Sequence, residues 1–228
     1  MIALRIRLMV VLLSAVGLAD ARSIHYGAVE STELTQCDGL HWIGQISEAQ
    51  NCYQTLLTND ASLAIQAEAA WALGDKKAAS RLFDRASKQN QTDQQKSRIL
   101  SRWADLFSAT YQFQDALDLF VHASELSKDN QHALLGVGLV LHESSSGDAG
   151  EKMASLVETT DHDGVKLKAL ITLASIQIRS NKASQADDLL RQAEQLAEQE
   201  GYPLQEVYAM QAAAAIRCLL YTSPSPRD

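Results

Sequence analysis

Proline, aromatic residues and concentrated positive charge are all scarce in this chain of 228 residues. It has 3 prolines, and two of them, Pro224 and Pro226, sit at the very end. Aromatic residues make up 6%, and runs of β-branched residues are rare, while alanine, leucine, glutamine and serine dominate. That balance speaks against a sheet protein, because alanine and straight-chain residues lose little side-chain freedom in a helix. No Lys/Arg block occurs and the net charge is −8. Nucleic-acid binding is therefore not expected, since phosphate contact needs clustered cations.

Catalytic signatures are missing as well. The six histidines, His25, His41, His122, His132, His142 and His162, include no H-E-x-x-H pair. There is no G-x-S-x-G, no phosphate-binding loop and no dinucleotide fingerprint. "DHDG" at 161–164 lacks the spaced acids of a calcium loop and is expected to be a solvated turn. Ser144 to Gly147 is expected to be a turn as well. The residues call for no catalytic group, no metal and no cofactor.

What is present begins with an address. Arg5 and Arg7 precede an apolar stretch from Leu8 to Leu18, and Ala19-Asp20-Ala21 follows. This is the pattern of a secretory signal, cleaved after residue 21. Eleven apolar residues fall short of the roughly 20 a spanning helix needs, so no membrane span is expected once the signal is gone. The mature chain is expected to be exported, periplasmic or secreted, with residues 22–33 as a linker.

The middle repeats itself. A small residue, a large one four positions later and a small or apolar one three after that recur as Ala49, Tyr53, Leu56; Ala79, Phe83, Ala86; Ala116, Phe120, Ala123; and Ala186, Leu190, Ala193. The third and fourth sets are separated by about two periods, so a weaker unit is expected around "GDAGEKMASLVETT". Five positions before each set stands a turn-like residue: Gly44, Gly74, Tyr111 and Asn181. Spacings of four and three place each set on one helix face. Small residues let axes approach, and each helix pair keeps an apolar face that only its neighbour can cover.

A period near 34 residues carrying A-x3-F-x2-A resembles the tetratricopeptide repeat. The likeness covers roughly residues 34–217, about five units and a half. It departs from the family at "HALLGVGLVLHESSSGDAG", and no proline closes any unit. The resemblance implies an all-α fold, a right-handed solenoid of helix–turn–helix hairpins. It also implies a protein or peptide partner held against the first helices of the hairpins. Projected onto that face are Glu68, Trp71, Arg98, Arg102, Asp105 and Arg179, and Trp and Arg are frequent interface anchors.

Two cysteines of the mature chain, Cys37 and Cys52, fall on the first and second helices of the first unit. An even pair in an exported chain is expected to form a disulfide. The end of the chain reads differently. Residues 203–217 begin a new first helix, and 218–228, "CLLYTSPSPRD", resemble translated sequencing-adapter sequence. The natural product is expected to be longer, with Val207, Met210 and Ile216 partly wet for want of a covering helix.

Two functions follow. One is an exported scaffold that binds a partner protein. The other is the front of a larger enzyme, because "CDGLHWIGQISEAQNCY" at 37–53 resembles the start of longer bacterial proteins that can carry a zinc peptidase-like domain.

Overall fold

A computed structural model describes the backbone of residues 31–222 and side chains as far as Ile216. The expected signal, most of the linker and residues 223–228 lie outside the described residues. Among the described residues there are eleven helices and no strand. They are α1 (Thr32–Trp42), α2 (Ile46–Thr58), α3 (Leu63–Ala72), α4 (Lys76–Ser87), α5 (Asp93–Ser108), α6 (Phe113–Leu126), α7 (Gln131–Glu143), α8 (Ala149–Thr159), α9 (Asp163–Arg179), α10 (Ala183–Glu200) and α11 (Gln205–Thr222).

Helices pair through one repeated turn. Gly44, Gly74, Tyr111, Ser145 and Asn181 all adopt positive φ, between 59° and 85°. In each case the next residue donates its N–H to the carbonyl five positions before it: Gln45 to Leu40, Asp75 to Ala70, Gln112 to Phe107, Ser146 to Leu141 and Lys182 to Gln177. A left-handed residue followed by such a bond satisfies the last orphan carbonyls and reverses the chain. Tyr111, Ser145 and Asn181 take that conformation without being glycine, which costs energy and needs packing to hold it.

The recurring sets are core. All twelve residues of the four sets are buried. Each apolar cluster joins the two helices of a hairpin to the first helix of the next. Ala67, Ala79, Phe83, Ala86 and Ile99 connect α3, α4 and α5, while Leu100, Ala116, Phe120 and Ala133 connect α5, α6 and α7. A second small column runs along the first helices, seven residues before each turn: Cys37, Ala67, Ala104, Gly138 and Ala174, all buried. Two aligned rows of small side chains let the hairpins approach closely.

The weak unit keeps the pattern with a shifted register. Its buried set is Ala149, Met153 and Leu156. Ser144 to Gly147 forms the turn, but α8 starts four residues after Ser145, whereas the other second helices start two residues after their left-handed residue. Upstream, the ring of Phe120 presses on α7 at Gly136, where a Cβ would come within 2.3 Å of it. No other residue fits that contact, and it accounts for the glycine-bearing stretch that blurs the repeat.

Residues 31–152 form one compact unit and residues 153–222 another, the division falling within α8. In the second unit two expectations need correction. Val207 is fully buried, because Leu167, Leu170, Ala193 and Ala197 of α9 and α10 already enclose it. Only Ile216 is strongly exposed, and α11 runs past residue 217 to Thr222. "DHDG" is also only half a turn, since Asp163 and Gly164 open α9 and Gly164 is buried.

Candidate functional site

The site grows from two helix starts. Ser62 caps α3 by accepting the N–H of Ile65, and Thr92 with Gln95 forms a reciprocal capping box at α5. These starts fix which residues share a face. Glu68 and Trp71 stand three apart on α3, and Arg98, Arg102 and Asp105 stand four and three apart on α5.

Arg102 joins the two helices. Its Nε lies 2.6 Å from Glu68 Oε1 and its Nη2 2.8 Å from Glu68 Oε2, a two-pronged pairing. Its Nη1 donates to Asp105 Oδ2 at 2.7 Å, and the guanidinium lies 5.0 Å from the centre of the Trp71 ring. His132 of α7 extends the chain of contacts, with Nε2 2.8 Å from the same Asp105 oxygen. The side chains of Arg102, Glu68, Asp105 and His132 are only 13%, 10%, 21% and 14% exposed. Burial works against the guanidinium's charge. The bonds to Glu68 and the charges of Glu68 and Asp105 outweigh it, so Arg102 is held above its ordinary pKa.

A second polar link lies beside it. Ser97 donates to the Ala123 carbonyl at 2.6 Å, and the Asn130 amide donates to Ser97 Oγ at 2.8 Å and Ser101 Oγ at 3.0 Å. The Asn130 carbonyl oxygen meanwhile caps α7 by accepting the N–H of Ala133. One residue thus caps α7 and ties it to α5.

Glu68, Trp71, Arg102 and Asp105 therefore come together, and Arg98 stands exposed one turn before Arg102 on the same stripe. Arg179 lies in the other unit, exposed at the end of α9. Cys37 and Cys52 are joined across α1 and α2, with Cα atoms 5.4 Å apart. One residue further along each helix, the Tyr53 hydroxyl donates to Asp38 Oδ1 at 2.5 Å. Burial first, and the Asp38 bond second, push the Tyr53 hydroxyl well above its ordinary pKa.

Sequence reasoning passed over His132 and Asn130. Asp38, Glu68 and Asp105 each stand six residues before a turn residue, and Arg98 and His132 each stand thirteen before one. That register finds His132 only if Ser145 is chosen as the turn, and the run of three serines concealed the choice. Chemically the cluster is a rigid charged surface. It holds no nucleophile, and among the described residues no three His, Cys, Asp or Glu side chains gather where a metal ion could sit.

Solved structures share this arrangement. Nearly identical TPR-like repeats from a putative kinesin light chain of Podosopora anserina align with a TM-score of 0.59 at 15% identity, covering 78% of this chain and 99% of that one. The chain has the tetratricopeptide-repeat fold. Pseudomonas aeruginosa pilF aligns with a TM-score of 0.54 at 14% identity over 85% of this chain and 91% of its own. YrrB, described as a TPR protein with an unusual peptide-binding site, aligns with a TM-score of 0.51 at 16% identity over 87% and 97%. No family model matches the sequence, and a comparison with curated proteins finds no match. The tetratricopeptide likeness is thus one of backbone architecture, carried by hairpin geometry and small-residue columns at low identity.

Proposed function

We propose that this tetratricopeptide-repeat chain is an exported protein-interaction scaffold that takes a partner polypeptide along the first helices of residues 31–152. The observation that carries the reading is the pre-ordered cluster of Trp71, Arg102, Glu68 and Asp105, with Arg98 exposed beside it. A surface whose side chains are already fixed loses little entropy when a partner binds. Arg102 itself serves as the clamp between α3 and α5, so the contacts offered to a partner are Arg98 and the edge of Trp71. The peptide site reported for YrrB supports the same use of this fold.

Export rests on the N-terminal pattern of charge, apolar stretch and small residues, together with the Cys37–Cys52 bond, which suits an oxidising compartment. No helix among the described residues is long and apolar enough to cross a membrane.

Display selection of peptides against the purified full chain tests the binding. Selected peptides are expected to share a consensus, and Arg98→Glu is expected to weaken them about tenfold or more. A selection without consensus, or peptides indifferent to Arg98→Glu, ends the reading. Export is checked by fractionation and intact mass. The expected result is protein outside the cytosol, lacking residues 1–21 and lighter by the two hydrogens of one disulfide.

A further inference from the structure

Seven large apolar side chains are strongly exposed among the described residues, and three of them fall within five consecutive positions. Trp42 is 60% exposed, Ile43 58% and Ile46 45%. They form the tip between α1 and α2, on either side of the left-handed Gly44. The repeat does not require them there. The equivalent positions of the next tip are Ala72, Leu73 and Lys76, and of the third Ala109, Thr110 and Phe113. A contiguous apolar group of this kind on a soluble surface marks an interaction site.

The charge around it is one-sided. Residues 31–75 contain six carboxylates, Glu33, Asp38, Glu48, Asp60, Glu68 and Asp75, and no lysine or arginine. Tyr53 engages Asp38 and Arg102 engages Glu68, which leaves the other four exposed. Glu48 stands two residues beyond Ile46. The first cations in chain order, Lys76 and Lys77, open α4.

We infer that this tip docks a cationic amphipathic segment of a second polypeptide. Its apolar side chains cover Trp42, Ile43 and Ile46, and its flanking lysines or arginines face Glu48 and the other free carboxylates. The charge decides between occupants. An anionic bilayer surface is repelled by the same carboxylates. A second copy of the chain would bring two acidic surfaces together. Three side chains also offer an area on the order of a few hundred Å², short of the roughly 800 Å² per partner of a stable interface. The tip lies apart from the Trp71–Arg102 cluster, so this inference stands independently of the first-helix reading.

The test titrates the full chain with an amphipathic Leu/Lys peptide of about 18 residues, roughly five helical turns. A Leu/Glu counterpart and a scrambled Leu/Lys peptide of equal composition serve as controls. The Leu/Lys helix is expected to bind saturably and the other two far more weakly, with affinity falling as salt rises. The variant carrying Trp42→Ser, Ile43→Ser and Ile46→Ser is expected to lose about tenfold or more in affinity. Its circular dichroism should be unchanged, because these side chains are exposed. Arg98→Glu is expected to leave this binding intact. Equal binding by the serine variant reduces the effect to general acidity and overturns the inference. So does equal binding of the scrambled or Leu/Glu peptide. If the serine substitutions instead abolish vesicle binding or self-association in sedimentation, a lipid surface or a second copy is the occupant and the inference fails.

Discussion

Residues 31–152 and residues 153–222 use the same hairpin repeat with opposite contents on their first helices. Nine residues before the left-handed turn residue, α5 carries Arg102, α7 carries Gly136 and α9 carries Thr172. In the first unit that position anchors a network of charges across α3, α5 and α7. In the second, Thr172 merely bonds back to the Lys168 carbonyl, and its neighbours Leu167, Leu170 and Ile171 are buried apolar core. The only ion pair recorded between helices there, Lys168 with Glu206, is largely in solvent. The repeat therefore fixes backbone spacing and leaves the first-helix positions open to specialisation. A charged surface at this position demands a full set of partners, whereas an apolar one demands none.

The large residues of the recurring sets should show the greatest effect and also sharpen the comparison. Phe120→Ala is expected to cost about 4 kcal/mol and Leu190→Ala about 3 kcal/mol, read from urea unfolding midpoints. Similar losses confirm that both units share one packing logic. A loss below about 1 kcal/mol at either site breaks it.

Arg102→Met comes next. It strands Glu68 and Asp105 in a mostly buried setting, and about 3 kcal/mol should be lost. At the equivalent position in the other unit, Thr172→Val should stay within about 0.5 kcal/mol. Equal effects at the two sites would erase the distinction between the units.

Gly136→Ala should cost about 2 kcal/mol by forcing the Phe120 ring aside. Thermal unfolding reads it directly, and an unchanged midpoint would show that α7 can shift away from α6.

Tyr53→Phe is the smallest, about 1 kcal/mol near neutral pH. Its pH signature is more telling. The Tyr53 hydroxyl has a raised pKa in the folded state, so its contribution is complete below the unfolded value near 10 and is lost as pH rises above it. Wild-type stability should therefore fall more steeply above pH 10 than that of Tyr53→Phe. Parallel curves would mean that the bond to Asp38 does not link to titration.

The hairpin register was legible in the chain because it depends on local steric needs. Small residues recur where axes meet, large ones where a gap must be filled, and left-handed turns fall at Gly44, Gly74, Tyr111 and Asn181. The α8 unit was obscured for a local reason as well. Its turn is a serine, its helix starts late, and Met153 stands where other units place an aromatic residue or leucine.

By itself, then, the sequence determined helix class, hairpin period and which faces go inward, since these follow from spacings of three and four along one chain. Only the tertiary structure decided that Glu68, Arg102, Asp105 and His132 meet, that Asn130 reaches Ser97, that Val207 is enclosed and that Trp42 is not. Each of those depends on which side chain of a neighbouring helix arrives at a given depth. That is a property of distances between helices, and no periodicity within one helix encodes it.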